Sequence, residues 1–419
     1  WNFAVLFLES AFFVIGMSLV SATAVLPPLI ARLSGSTVVV GLAAGLFNGA
    51  WLLPQVFVAG AIAGLRRTKP VIVASVWVSR TFFLVAALVI LFAGGTHPRL
   101  TVAALLICIT LFYAVDAIAA VPWFGMLSRC IPANRRGRLI GLSEVLGGLG
   151  GIGTGIFVRY ALGESSPWAF PTSYAVLFAG AALFLQLGSA TLSTIKELPA
   201  AEPLEERPTP RQALRQLPSI LVDDHPFRRL VFVRLAAGFV GVASSFYVLH
   251  ATRHMGLGTE VTGYFVSAQV IGSLAAGLLT SLLQDRHGPL AHMRVMAILA
   301  ALPALLGLLA EPLAPLLGAQ LVLLYLALFF VLGLFLGSSA WPFFNWTLEY
   351  APEARRPAYI GLINTLGGLY MLAPVLGGLV VRSLSYRAVF ALALGFAALA
   401  LLLSKGLPST RNAPPTAAS

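Results

Sequence analysis

Apolar runs long enough to cross a bilayer alternate with short polar turns along almost the whole chain. A spanning helix takes about 20 predominantly apolar residues. Twelve stretches meet that requirement: 2–28, 36–64, 70–94, 101–127, 138–162, 173–195, 229–251, 259–283, 291–310, 314–343, 356–381 and 386–404. The tenth is long and the ninth is interrupted by Pro303, which predicts tilting or kinking there. One connection is different. Residues 196–228, KELPAAEPLEERPTPRQALRQLPSILVDDHPF, are rich in proline and charge and read as a tether between a first bundle, 1–195, and a second, 229–404. Within the tether, Thr209–Pro210 can start a short surface helix, with Thr as cap and Pro in the first turn. Residues 405–419 read as a disordered tail. The expected fold class is an all-α polytopic membrane protein of two six-helix bundles.

The two bundles share a repeated stretch. Residues 119–149 recur in diverged form at 339–369, an offset of 220 positions. Pro122 and Pro342, Phe124 and Phe344, Pro132 and Pro352, Arg135 and Arg355, Arg136 and Arg356, and Gly141 and Gly361 fall in register without a gap. A repeat of this length marks a duplicated unit of about 200 residues.

Composition narrows the class further. Only 10% of the residues are charged and 58% are hydrophobic, against roughly 25% charged in soluble domains. The net charge of +12 does not imply nucleic acid, because the basic residues sit in short turns between apolar runs and not on one soluble face. They face anionic membrane lipid instead. With the N-terminus placed in the cytoplasm, 19 Lys and Arg residues fall in inner loops and tail and 6 in outer loops. That bias puts both termini in the cytoplasm of a cell inner (plasma) membrane. The first segment carries no cleavage site and reads as a retained helix. Cys108 and Cys130 have neither disulfide nor metal-site spacing.

Two six-helix halves, a cytoplasmic central loop and basic turns after helices 2, 4, 8 and 10 resemble the major facilitator superfamily. The most specific match is SLLQDRHG at 281–288, where Asp285, Arg286 and Gly288 stand at the core of the family's loop motif. The resemblance implies a monomeric secondary active transporter working by alternating access, with its substrate site near mid-membrane between the halves. It also implies a cytoplasmic latch in which Asp285 faces the start of helix 5 at Arg135 and Arg136. The equivalent latch facing helix 11, at Arg355 and Arg356, has Leu65 where the family carries an aspartate. The runner-up implied by the same fold is a non-transporting lipid- or pigment-handling assembly factor.

Ionisable side chains inside hydrocarbon are costly and are functional candidates by default. They are Glu9 in helix 1, Arg80 in helix 3, Asp116 in helix 4, Glu144 in helix 5 and Arg234 in helix 7. Arg80 and Asp116 lie at similar depth on adjacent helices and are expected to pair, either as a permanent ion pair or as a site where Asp116, with Glu144 or Glu9, takes up and releases a proton. Glu9 and Arg234 offer a salt bridge between the halves. Cavity-lining candidates are Asn48, Trp51 and Gln55 on one face of helix 2, with Tyr247, Gln269, Trp341, Asn345 and Trp346 opposite. Amide and aromatic groups with few fixed charges suit a small neutral or amphipathic organic solute. His250, Arg253 and His254 cluster at the outer membrane edge. The run GGLGGIGTG at 147–155 follows no strand and lacks the phosphate-loop lysine; its glycines at four-residue spacing permit close helix approach. No cofactor motif, catalytic constellation or Cys/His ligand cluster is visible.

Overall fold

The structure is a computed structural model, and it describes residues 1–61, 67–198, 220–339, 341–352 and 355–410. Among them there is no strand. The first half comprises α1 (Asn2–Leu19), α2 (Leu26–Ser34), α3 (Thr37–Ala61), α4 (Lys69–Ala93), α5 (Pro98–Cys130), α6 (Ala133–Leu162) and α7 (Thr172–Ser193). The second comprises α8 (His225–Phe239), α9 (Phe246–Leu249), α10 (Val261–Leu317), α11 (Leu321–Ser338), α12 (Trp341–Tyr350), α13 (Arg356–Gly367), α14 (Ala373–Ser383) and α15 (Tyr386–Ser404). The long α10 is broken at Gly288, whose φ of 79° only glycine adopts readily, so it crosses twice. Twelve crossings result among the described residues, as the hydrophobic pattern predicts.

Several crossings are interrupted, and the interruptions position the site. The first segment is not one helix: α1 stops at Leu19 and α2 starts at Leu26 with Pro27 and Pro28 in its first turn. A proline ring there excludes the carbonyl four residues earlier and supplies no N–H, so the helix cannot run through. The seventh segment breaks at the duplicated position. α8 ends at Phe239, a 3₁₀ turn covers Val240–Ala243, and α9 follows. The tenth splits between α11 and α12, with Pro342 in the new first turn.

Two boundaries differ from the sequence reading. Asp224 caps α8, accepting a hydrogen bond from Phe227 N–H at 2.9 Å, so the seventh helix starts inside the expected tether. The tail is ordered as far as residue 410: Leu407 is buried, and Trp346 donates its Nε1–H to Pro408 O at 3.2 Å. The expected surface helix after Thr209 lies outside the described residues.

The halves meet along two glycine-lined seams. Gly148, Gly151 and Gly155 of α6 face α10, where a Cβ on Gly148 would lie 2.5 Å from Leu274 and one on Gly151 3.2 Å from Val270. A Cβ on Gly155 would overlap Ser267 Oγ. On the other seam, Gly41 and Gly45 of α3 leave room for the backbone of Pro374 and Met371, and Thr37 donates to Gly378 O at 2.8 Å. Continuing the α6 stripe by steps of three and four leads through Glu144 and Gly141 to Gly137. A Cβ on either of those glycines, or on Gly277 of the facing α10 stripe, meets nothing within 4 Å. The two helices are zipped at the end distant from the termini and splayed towards the end that carries them. Gly155→Leu is therefore expected to force the zipped end apart. The distance between spin labels at His97 and Leu384 should lengthen relative to the parent; an unchanged distance would contradict this packing.

Candidate functional site

A cavity of about 400 Å³ lies between the halves, at the depth where the α6–α10 seam opens. The break after α1 turns Ser21 and Thr23 into it, and the break after α8 contributes Gly241 and Ser244. Phe13, Met17, Phe47 and Tyr370 form apolar and aromatic walls, and Gln269 of α10 is opposite Thr23. Thr23 donates its hydroxyl to Gln269 Oε1 at 2.5 Å, which closes the cavity from the zipped end. Glu144 is the only charged side chain among the described residues lining this cavity. A smaller neighbouring cavity of about 190 Å³ shares Gly238, Gly241, Ser244, Leu336 and Tyr370 with it and is bounded by Arg234.

The other intramembrane charges are packed inside the halves. Arg80 Nη2 meets Glu9 Oε1 at 2.6 Å, and both side chains are almost wholly buried. Arg80 Nη1 also donates to Leu185 O at 3.0 Å and Ser189 Oγ at 3.3 Å. Gly188 makes this possible, since a Cβ there would lie 2.8 Å from Nη1. Asp116 does not form the expected ion pair with Arg80. It accepts a hydrogen bond from Trp51 and lies within the electrostatic reach of both Arg80 and Glu9. The expected Glu9–Arg234 bridge is likewise replaced, because Glu9 is held within the first half. Arg234 donates to Asn364 Oδ1 at 3.4 Å, interacts with Tyr370 and sits over the Phe343 ring.

Of the expected lining residues, Gln269 faces the cavity, whereas Trp51 is not among its lining residues and hydrogen-bonds Asp116. Tyr247 is core, stacked on Phe390 at 5.0 Å between centroids. Trp346 is fully buried against Tyr350 and the tail. Trp341 and Asn345 border a separate cavity of about 230 Å³ with Asp285 and His292, near the end that carries the termini. The side chains of Asn48, Gln55 and Arg356 lie outside the described residues.

The sequence model described as Major Facilitator Superfamily matches residues 8–370 and again 230–418. The chain belongs to that superfamily. Membership makes it a multi-pass secondary transporter of the membrane and not an enzyme. Solved structures agree on the fold. A point mutant of the nucleoside transporter NupG superposes with a TM-score of 0.74 at 14% identity, covering 97% of this chain and 100% of that one. A D-xylose–proton symporter gives 0.67 at 16% identity, covering 98% of each chain. The xylose transporter XylE from E. coli, in a partially occluded inward open conformation, gives 0.67 at 15%, covering 99% of this chain and 98% of that one. No curated protein matches the sequence.

In this superfamily member Arg136, expected in the latch, bonds within its own half, donating to Ser128 O at 2.6 Å and Ile131 O at 3.0 Å. Two acidic anchors at the same end escaped the sequence reading. Asp224 accepts from Tyr350 and Tyr359 hydroxyls at 2.8 and 2.7 Å, tying α8 to α12 and α13. Its signal was present: an acidic residue two positions before Pro226 is a helix-cap pattern. Glu197 accepts from Thr68 N–H at 2.6 Å, Thr68 hydroxyl at 2.9 Å, Lys69 N–H at 3.1 Å and Arg129 at 3.2 Å. It thus places a negative charge at the start of α4.

Burial alone would raise the Glu197 carboxyl, but the Thr68 and Lys69 hydrogen bonds and the Arg129 charge outweigh it and hold it below the usual glutamate value. A depressed folded pKa means the anchor contributes fully above the unfolded value, about 4.3, and is lost as pH falls through the folded one. Glu197→Gln should mimic the protonated state and speed tryptic cleavage after Lys196 at neutral pH. Cleavage at the parent rate would show that the anchor does not hold this segment.

Proposed function

We propose that the protein is a proton-coupled transporter of a small neutral or amphipathic organic solute, bound in the cavity between the halves and released by rocking of one half against the other. The observation that carries this reading is the cavity itself: about 400 Å³, largely apolar and aromatic, with hydroxyl and amide groups and a single carboxylate, Glu144, among its described residues. Such a lining recognises a solute by shape and a few hydrogen bonds and leaves the acid available to a proton. The buried first-half cluster supports the coupling. One guanidinium, Arg80, faces two carboxylates, Glu9 and Asp116, and a proton on Asp116 brings the group to neutrality where an uncompensated charge would be expensive.

The end with the termini is taken as cytoplasmic from its Lys and Arg content, so the splayed α6–α10 seam corresponds to a state open to the cytoplasm. In the opposite state the start of α6 would meet α10 beside its break at Gly288, bringing Arg135 and Arg136 within reach of Asp285. Gly288 permits the turn between the two crossings of α10. Thermal-shift screening of the purified protein against a solute library at two pH values should identify the ligand, and proteoliposomes should then accumulate it only under a proton gradient. Accumulation independent of the gradient would remove the coupling. A tightly co-purifying lipid or pigment without flux would remove transport.

A further inference from the structure

The end distant from the termini carries a second constellation that the transport reading does not use. The seventh crossing ends in a π-helical turn, His250–His254, and such turns recur at functional positions. His250 and His254 stack in parallel, with ring centroids 5.1 Å apart. Both present Nε2 to the same oxygen of Glu311, in the last turns of α10, at 3.3 and 3.1 Å. The three ligand atoms lie within 4.8 Å of one another.

We propose that His250, His254 and Glu311 form a binding site for a divalent transition-metal ion of the zinc type. Bonds of about 2.0–2.2 Å in tetrahedral array separate adjacent ligand atoms by roughly 3.3 Å. The two nitrogen–oxygen separations already match that edge, so only the nitrogen–nitrogen edge must tighten. Two imidazoles and one carboxylate are a ligand set typical of this ion, with the fourth position left for water. His254 is half exposed and gives the ion a route in; His250 is fully buried.

The surrounding residues fit the same role. Tyr325 hydroxyl lies 2.7 Å from His250 Nδ1. Accepting the Nδ1–H fixes the tautomer that leaves Nε2 free to ligate, the usual arrangement behind a metal-bound histidine. Tyr386 flanks both rings and prevents them from rotating away. Arg387 Nη1, 3.9 Å from Glu311 Oε2, is a cation that competes for the carboxylate. A bound ion joins the seventh crossing to α10 across a turn that also presents Arg253, which borders a cavity with Arg32 and Tyr174 of the first half.

The test uses full-length protein, freed of its affinity tag and stripped with chelator, titrated with Co²⁺ and then Zn²⁺. The expected result is one equivalent of Co²⁺ with visible d–d absorption, displaced by Zn²⁺. His254→Ala and Glu311→Gln should each abolish stoichiometric binding while eluting and melting like the metal-free parent. Tyr325→Phe should weaken affinity by roughly 10-fold or more, and Arg387→Ala should retain or tighten it. No absorption at one equivalent, or binding unchanged in both His254→Ala and Glu311→Gln, overturns the proposal.

Discussion

Arg80→Ala is expected to destabilise the first half by about 3–5 kcal/mol, the cost of leaving a buried carboxylate without its partner. Arg80 sits where α1, α4 and α7 meet and bonds Glu9, the Leu185 carbonyl and the Ser189 hydroxyl with one side chain. Its removal leaves Glu9, 5% exposed, as an unpaired charge. Lysine is not a substitute, because a single ammonium cannot reach three directions as a planar guanidinium does. The double change Glu9→Leu with Arg80→Met should recover much of the loss, since an apolar pair carries no desolvation penalty. Detergent-solubilised melting curves of the single and double variants check this. A parent-like melt for Arg80→Ala would mean that the pair is already hydrated and carries no structural weight.

Glu144→Gln is expected to keep the protein folded and remove the response to pH. The side chain projects into the central cavity and no ion pair holds it among the described residues. The amide preserves its size and polarity while it can neither bind nor release a proton. Transport down a solute gradient should persist, and accumulation against one should fall to equilibration. Asp116→Asn acts differently. It neutralises the third member of the Glu9–Arg80 group, fixing in place the charge state that a proton would produce, so it too should equilibrate without accumulating. Loss of both downhill and uphill flux in Glu144→Gln would instead assign Glu144 to solute recognition.

The all-helical crossings were legible in the sequence because run length is a local property of the chain. The broken first and seventh helices were readable in part: Pro27–Pro28 announces the first, whereas Gly238 and Gly241 only permit the second. Partners of buried charges were not readable. Adjacency along the chain suggested Asp116 for Arg80, yet Gly188 on α7 opens the space that points the guanidinium at Glu9. Aromatic candidates divided on tertiary grounds. Tyr247 and Trp346 have helical spacing suited to a cavity but are turned into the core of the second half, which no periodicity distinguishes from a lining face. The histidine–glutamate site was hidden for a related reason, since Glu311 lies far along the chain from His250 and meets it only through the packing of α10 against the seventh crossing.

In the proposed mechanism the first-half carboxylates couple a proton to movement of a solute bound between the halves. Solute accumulation in proteoliposomes under an imposed pH gradient, measured for the parent, Asp116→Asn and Glu144→Gln, tests it most directly. The parent should accumulate solute under the gradient and neither variant should, with downhill exchange retained. Undiminished pH-driven accumulation in both variants would contradict it.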